Sequence, residues 1–254
     1  MGSGMIMGRA YLVKPILRLA AILATSSALV ISSLSAPAFA NDTAPELREG
    51  LPGRRISGGS RSPSTTCVSA VSQPVIALMP KNNLGKTIAE RPTFWFSLPA
   101  INQNRLIEFG LYDSEGELLF QKTLTATGEA GLTHLSMPET AAPLDINRDY
   151  RWYLSVVCDP QSRAEDLTVT GWVRRVEAST HLLEQLATLT PEEQISLYEA
   201  SDLWFDALTA LSTLHHGNSA DDSTEQQWVT LLQTIDLPQV ISAPFVGVLA
   251  SKPL

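Results

Sequence analysis

The stretch Tyr150-Arg151-Trp152-Tyr153-Leu154-Ser155-Val156-Val157-Cys158 places Tyr150, Trp152, Leu154, Val156 and Cys158 at alternate positions. Successive side chains of an extended chain point to opposite sides, so these five share one face, and period two marks a strand laid against a core. Asp166 to Glu177 repeats the pattern with Leu167, Val169 and Val173. Upstream, Leu132 to Met137 is a short run before Pro138. Leu106 to Tyr112, where Ile107, Phe109 and Leu111 alternate with Glu108 and Gly110, turns through Asp113-Ser114-Glu115-Gly116 into Glu117 to Leu124. Thr93 to Leu98 and Val75 to Met79 are β-rich runs separated by Pro80, Asn82, Asn83, Gly85 and Pro92. Seven or eight short strands without a helical period predict an antiparallel sandwich over residues 73–178.

The run Pro143-Leu144-Asp145-Ile146-Asn147-Arg148-Asp149-Tyr150 resembles the approach to a late strand in fibronectin type III or immunoglobulin-like domains. The expected fold is therefore mostly β plus α: an antiparallel immunoglobulin/fibronectin-III-like β-sandwich followed by a short C-terminal helical region. The likeness concerns shape and implies no activity.

After Glu177 the period becomes about 3.6. Leu182, Leu183 and Leu186 form a short amphipathic piece, and Thr190-Pro191-Glu192-Glu193 supplies an N-cap, a first-turn proline and the third glutamate of a capping box. Trp204, Phe205, Leu208, Leu211 and Leu214 then make one apolar stripe, which His215-His216-Gly217-Asn218 ends. A last helix begins near Ser223 and carries Trp228, Leu231, Leu232 and Ile235. Tyr198 to Leu208 resembles the turn between the two helices of a tetratricopeptide repeat, with no second copy, and a single repeat cannot bury its own face. The helical tail spans 179–237, and 238–254 is a C-terminal extension. Trp204, Phe205, Leu208 and Leu211 are the candidate binding surface for a protein partner.

Residues 1–40 hold Arg9, Lys14 and Arg18, no acidic residue, an apolar stretch from Leu19 to Leu34, and then Ser-Ala-Pro-Ala-Phe-Ala. This is the order of a secretory signal, with Ala38 and Ala40 at the positions signal peptidase must fit. Thr25, Ser26, Ser27, Ser32 and Ser33 break the apolar stretch, which falls short of the ~20 apolar residues of a spanning helix, the form an uncleaved anchor would take. Cleavage removes three of eighteen basic residues and none of twenty-six acidic ones, leaving a formal charge of −11. So acidic a chain is a poor match for nucleic acid or anionic lipid. Residues 41–72, rich in Gly, Ser, Pro, Thr and Arg, read as a flexible lead unless pinned at Cys67. Cys67 and Cys158 are the only cysteines. In an oxidising compartment the pair reads first as a disulfide worth roughly 4 to 5 kcal/mol through loop closure; the alternative is two buried thiols.

Gly85-Lys86-Thr87 has the end of a phosphate-binding loop, but Pro80 stands where its first glycine belongs and a strand pattern follows. The adjacent His215 and His216 point in different directions and would need a third ligand to hold a metal. Asp113, Glu108, Glu115 and Glu117 crowd one hairpin, where an acid and base pair or a solvated face are both open. The five tryptophans read as packing anchors, with Trp95 and Trp172 out of phase with part of their strands' apolar faces. No catalytic residue, cofactor or metal site is read from these patterns.

Gly50-Leu51-Pro52-Gly53-Arg54-Arg55, Gly58-Gly59-Ser60-Arg61, Pro92-Thr93-Phe94-Trp95-Phe96 and Tyr150-Arg151-Trp152-Tyr153 recur in order with Cys158-Asp159-Pro160, Gly171-Trp172-Val173-Arg174-Arg175-Val176 and Leu203 to Leu208. Together they resemble the exported cyanobacterial family catalogued as the domain of unknown function numbered 928 (DUF928). The resemblance implies export and a cyanobacterial source, and carries over no catalytic residues. The expectation is a non-enzymatic envelope protein, periplasmic, extracellular or in the thylakoid lumen, that binds an envelope protein. The alternative is a hydrolase or carbohydrate-binding module using the hairpin carboxylates or exposed tryptophans. Intact mass of the exported form is expected to show a chain beginning at Asn41; a species that retains residues 19–34 contradicts the signal reading.

Overall fold

Among the described residues eight strands come first: β1 (Ile76–Ala77), β2 (Leu84–Thr87), β3 (Thr93–Leu98), β4 (Leu106–Tyr112), β5 (Leu118–Thr125), β6 (Gly131–Ser136), β7 (Asp149–Val156) and β8 (Leu167–Arg175). Four helices follow, α1 (Thr180–Leu186), α2 (Pro191–Ala200), α3 (Trp204–Gly217) and α4 (Asp222–Thr234), and then β9 (Ala250–Ser251). This computed structural model describes residues 51–58, 67, 73–102, 105–217, 222–246 and 250–251. The expected signal peptide with Ala38 and Ala40, residues 41–50 of the lead, and 252–254 lie outside them. Among the described residues no helix is long and apolar enough to cross a membrane.

The chain is a mixed β and α protein with two sheets. One has the order β1-β3-β6 and the other β2-β8-β7-β4-β5-β9. Pairing is antiparallel except between β2 and β8, which run parallel with Leu84 opposite Trp172 and Thr87 opposite Arg175. That corrects the wholly antiparallel expectation and the placing of Gly85-Lys86-Thr87 in a gap between strands. These residues are β2 itself, extended, so they form no phosphate-binding loop. Their glycine disguises the strand and has a packing cause: a Cβ at residue 85 would fall 2.5 Å from Phe205 Cε2.

Alternation sends Phe109 from β4 and Trp152 from β7 inward, where they meet Phe94 from β3 at ring-centroid separations of 4.9 and 5.7 Å. β3 is buried on both faces, which is why its sequence reads as an almost continuous apolar run. On its second face Trp95 lies against His134, with ring centroids 4.6 Å apart, and donates to Thr209 Oγ1 of α3 at 3.3 Å. The out-of-phase Trp95 is thus a core residue.

The α3 stripe is buried too, and this corrects its reading as a binding surface. Trp204 is 8% exposed, Phe205 2%, and Leu208 and Leu211 0%. Trp204 donates its indole N–H to the Leu78 carbonyl at 2.9 Å, and Phe205 packs edge-on against Phe94 at 5.3 Å. The stripe is too wide for a helical hairpin because it faces sheets as well as helices; Trp228, Leu231 and Leu232 of α4 belong to the same core. The exposed large apolar residue of this region is Leu183, in α1, which buries none of its side chains. The Thr190 capping box that opens α2 forms as its sequence predicts.

Where the lead is described, at residues 51–58 and 67, it is held. Arg54 bridges Thr170, Ile56 bridges Ile76, and the Arg55 guanidinium donates to the carbonyls of Met79 and Ile235 at 3.0 and 2.8 Å. Farther along, Cys67 is joined to Cys158 beyond the end of β7.

Asp206, in the first turn of α3, accepts from the Ile88 amide at 3.2 Å and ties the helix to the end of β2. Burial pushes its carboxyl up to about 6, against the lowering pull of hydrogen bonds from Thr87, Ile88 and Ala89. The folded chain therefore holds this proton more tightly than the unfolded chain does between about pH 4 and 6. Stability falls as pH rises through that window, by about 3 kcal/mol from this group, and the cost persists at neutral pH. Asp206→Asn is expected to flatten that part of the pH profile in chemical denaturation; an unchanged slope contradicts the assignment.

Candidate functional site on the outer sheet face

The face of the six-stranded sheet turned away from the core is set by the residues between the buried ones. In β4 these are Glu108, Gly110 and Tyr112; in β7, Arg151, Tyr153 and Ser155; in β8, Thr168, Thr170 and Trp172. Register aligns them in rows across the strands. Tyr112 lies opposite Arg151, which lies opposite Trp172; Gly110 lies opposite Tyr153, which lies opposite Thr170. The rows form an open groove of about 650 Å³, closed at one end by the hairpin Asp113 to Gly116.

Gly110 shapes its floor. A Cβ there would lie 2.5 Å from Tyr153 Cε1 and 3.0 Å from Tyr112 Cε2, so both rings lean over the glycine. They run nearly parallel, with centroids 6.0 Å apart and planes 23° from each other. Burial, then the Tyr112 hydroxyl, pushes the Tyr153 phenol up to about 12. Trp172 is fixed by donation from its indole N–H to the Pro52 carbonyl at 2.9 Å. Thr168 shares a hydrogen bond with Ser155 at 2.8 Å, and Thr170 Oγ1 accepts from the Arg54 amide at 3.1 Å.

Three of the four hairpin carboxylates, all but the exposed Glu117, are committed elsewhere. Asp113 Oδ1 accepts from the amides of Glu115 and Glu117 at 2.9 and 2.8 Å, and these backbone bonds, with Arg148, hold its carboxyl below the usual range. Arg148 also reaches Glu115 at 2.9 Å, and Arg163 joins Glu108 at 2.7 Å and Asp166 at 2.6 Å. Asp113, Glu115 and Glu108 thus face guanidinium groups. Arg151 differs: it is exposed, and it has no ion pair or hydrogen bond to any described residue.

Two other places were candidates. Ser212 and His215 on α3, with Glu225 accepting from His215 Nε2 at 2.8 Å, have the residue types of a hydrolytic triad. Ser212 is fully buried and its hydroxyl is unbonded, so no substrate carbonyl reaches it. A groove of about 440 Å³ between Lys81 and the α2–α4 helices has its cations spoken for: Lys81 pairs with Asp236 at 3.6 Å and the nearby Lys86 with Asp202 at 2.7 Å.

Of the residues weighed in the sequence as candidates for chemistry or sugar stacking, Trp172, Asp113 and Glu115 line the outer groove. Tyr112, Arg151 and Tyr153 escaped notice because they fill the phase opposite to the one that identifies a buried strand. That phase was itself the available signal: Tyr153 and Arg151 alternate with the core residues of β7. Among the described residues, no group of three His, Cys, Asp or Glu is placed to hold a metal.

A family model described as Domain of Unknown Function (DUF928) matches residues 56–245. No curated protein and no solved structure matches the chain. Gly110→Ala is expected to lift Tyr153 from the sheet and bring its phenol back toward about 10, the ordinary tyrosine value. Ultraviolet titration, with Tyr153→Phe to assign the step, reads this; a phenol that still titrates at the wild-type position contradicts the described packing.

Proposed function

The chain belongs to the DUF928 family, and we propose that it is a non-catalytic binding module of the extracytoplasmic space that takes its ligand on the outer face of the six-stranded sheet. The observation that carries the proposal is the convergence of Tyr112, Tyr153 and Trp172 on one open groove, with their rings fixed before any ligand arrives. A preformed concave site lined by aromatic rings and a few polar groups is the usual form of a small-ligand site, and fixed rings bind without the entropy cost of ordering. The arginine partners of Asp113, Glu115 and Glu108 favour binding over the hydrolase alternative, which needs one free acid and one free base. The docking role first given to Trp204, Phe205, Leu208 and Leu211 has no free surface to act through.

Export is part of the proposal. The charged, apolar and Ala-x-Ala order of residues 1–40 supports it, as does a disulfide spanning 91 residues, the kind of bond that persists in oxidising compartments. Exported chain displayed against arrays of envelope oligosaccharides and peptides is expected to retain one class of ligand. The Tyr153→Ala/Trp172→Ala double variant is expected to lose at least about fivefold of that affinity while melting normally, since stacked aromatic contacts of this kind contribute about 0.5 to 1.5 kcal/mol each. Equal retention by both proteins, or retention of nothing, defeats the proposal.

A further inference from the structure

We infer that the groove ligand is an acidic polysaccharide, with Arg151 receiving a sugar carboxylate between the rings of Tyr112 and Trp172; this rests on the outer face being the binding site. Three observations lead to it.

The first is the lining itself, which contains aromatic rings, hydroxyls of Thr168, Thr170 and Ser114, and charged groups, but no aliphatic side chain. A sugar presents C–H faces that lie on rings and a rim of hydroxyls that reach for polar groups, which is the complement of this surface.

The second is the state of Arg151. Arg148, Arg163, Arg174 and Arg175, from the neighbouring strands and loops, each pair with a carboxylate. Arg151 sits in the centre of the groove without one. In a chain with twenty-six acidic residues, an unpaired guanidinium beside aromatic rings is a vacancy for an anion from outside, and its planar fork matches a carboxylate. The acids at the hairpin end, Asp113 and Glu115, share Arg148 with Asp145, so that end of the groove stays acidic and the ligand's carboxylate belongs at Arg151.

The third is spacing. Tyr112, Arg151 and Trp172 stand on three adjacent strands in direct register. At about 4.8 Å per strand the row spans roughly 10 Å, room for two linked sugar rings. One cation over that length suits a polymer with about one carboxylate per repeat; a phosphate polymer of higher charge density needs several basic contacts.

Calorimetric titration of the full exported chain with oligogalacturonate and oligomannuronate, each beside its methyl ester, tests this. Wild-type protein is expected to bind at least one free acid about tenfold more tightly than its ester, and less tightly as salt is raised. Arg151→Gln is expected to remove the difference by weakening only the acid, whereas Gly110→Ala weakens acid and ester together. Equal binding of acid and ester, a preference that survives Arg151→Gln, or binding of neither acid overturns the inference. If neither acid binds but the Tyr153→Ala/Trp172→Ala variant still loses its array ligand, the outer-face reading stands and only the acidic-glycan assignment fails. If that variant also keeps every ligand, both fail.

Discussion

Phe205 lies on the backbone of Gly85 in β2 and edge-on to Phe94 in β3, and so touches both sheets from one position at the start of α3. The next residue, Asp206, accepts from the Ile88 amide just past β2. A helix, a parallel edge strand and the second sheet are thereby joined within two residues of chain. Loss of a buried phenylalanine costs about 3 to 5 kcal/mol, against a whole stability of about 5 to 15 kcal/mol for a domain. Any side chain at Gly85 would displace the ring, and the helical region would lose its seat on the sheets. The outer groove depends on the same junction at one remove, because β2 flanks β8 and backs the strand that carries Trp172.

Charge is distributed with comparable economy. Asp149 is gripped by Arg174 through two bonds, Asp166 by Arg163, and Asp113 by Arg148 together with two backbone amides. Exposed pairs of this kind contribute little stability individually. Their effect here is positional: they hold the turns around the groove in place and leave Arg151, inside the groove, without a carboxylate partner.

Much of the fold was legible in the sequence. Thr93–Leu98 and Leu106–Tyr112 are strands at the predicted bounds, and Thr190-Pro191-Glu192-Glu193 opens a helix as capping chemistry requires. Period two sees only strands with one wet face and enough length, so β2, four residues long with a glycine under Phe205, went unread. The α3 stripe was read correctly as apolar but assigned to a partner, because periodicity reports how wide a buried face is and not what covers it. The site was the least legible part. Pattern reading looks for the face that repeats apolar residues, and a binding face made of Tyr112, Arg151, Tyr153 and Trp172 is the remainder once that face is subtracted.

Ile56 meets Ile76 beside β1, Phe245 meets Leu132 beside β6, and β9 pairs with β5. Three sheet margins are thus covered by segments from outside the run of the first eight strands. A row of unsatisfied backbone donors and acceptors is a template for self-association. Because a chain is made amino end first, the strands β5 and β6 come out long before the residues that shield them. The interval between the emergence of Ser136 and that of Phe245 is the period in which the polypeptide is most prone to aggregate, and the one in which a chaperone would have most to do.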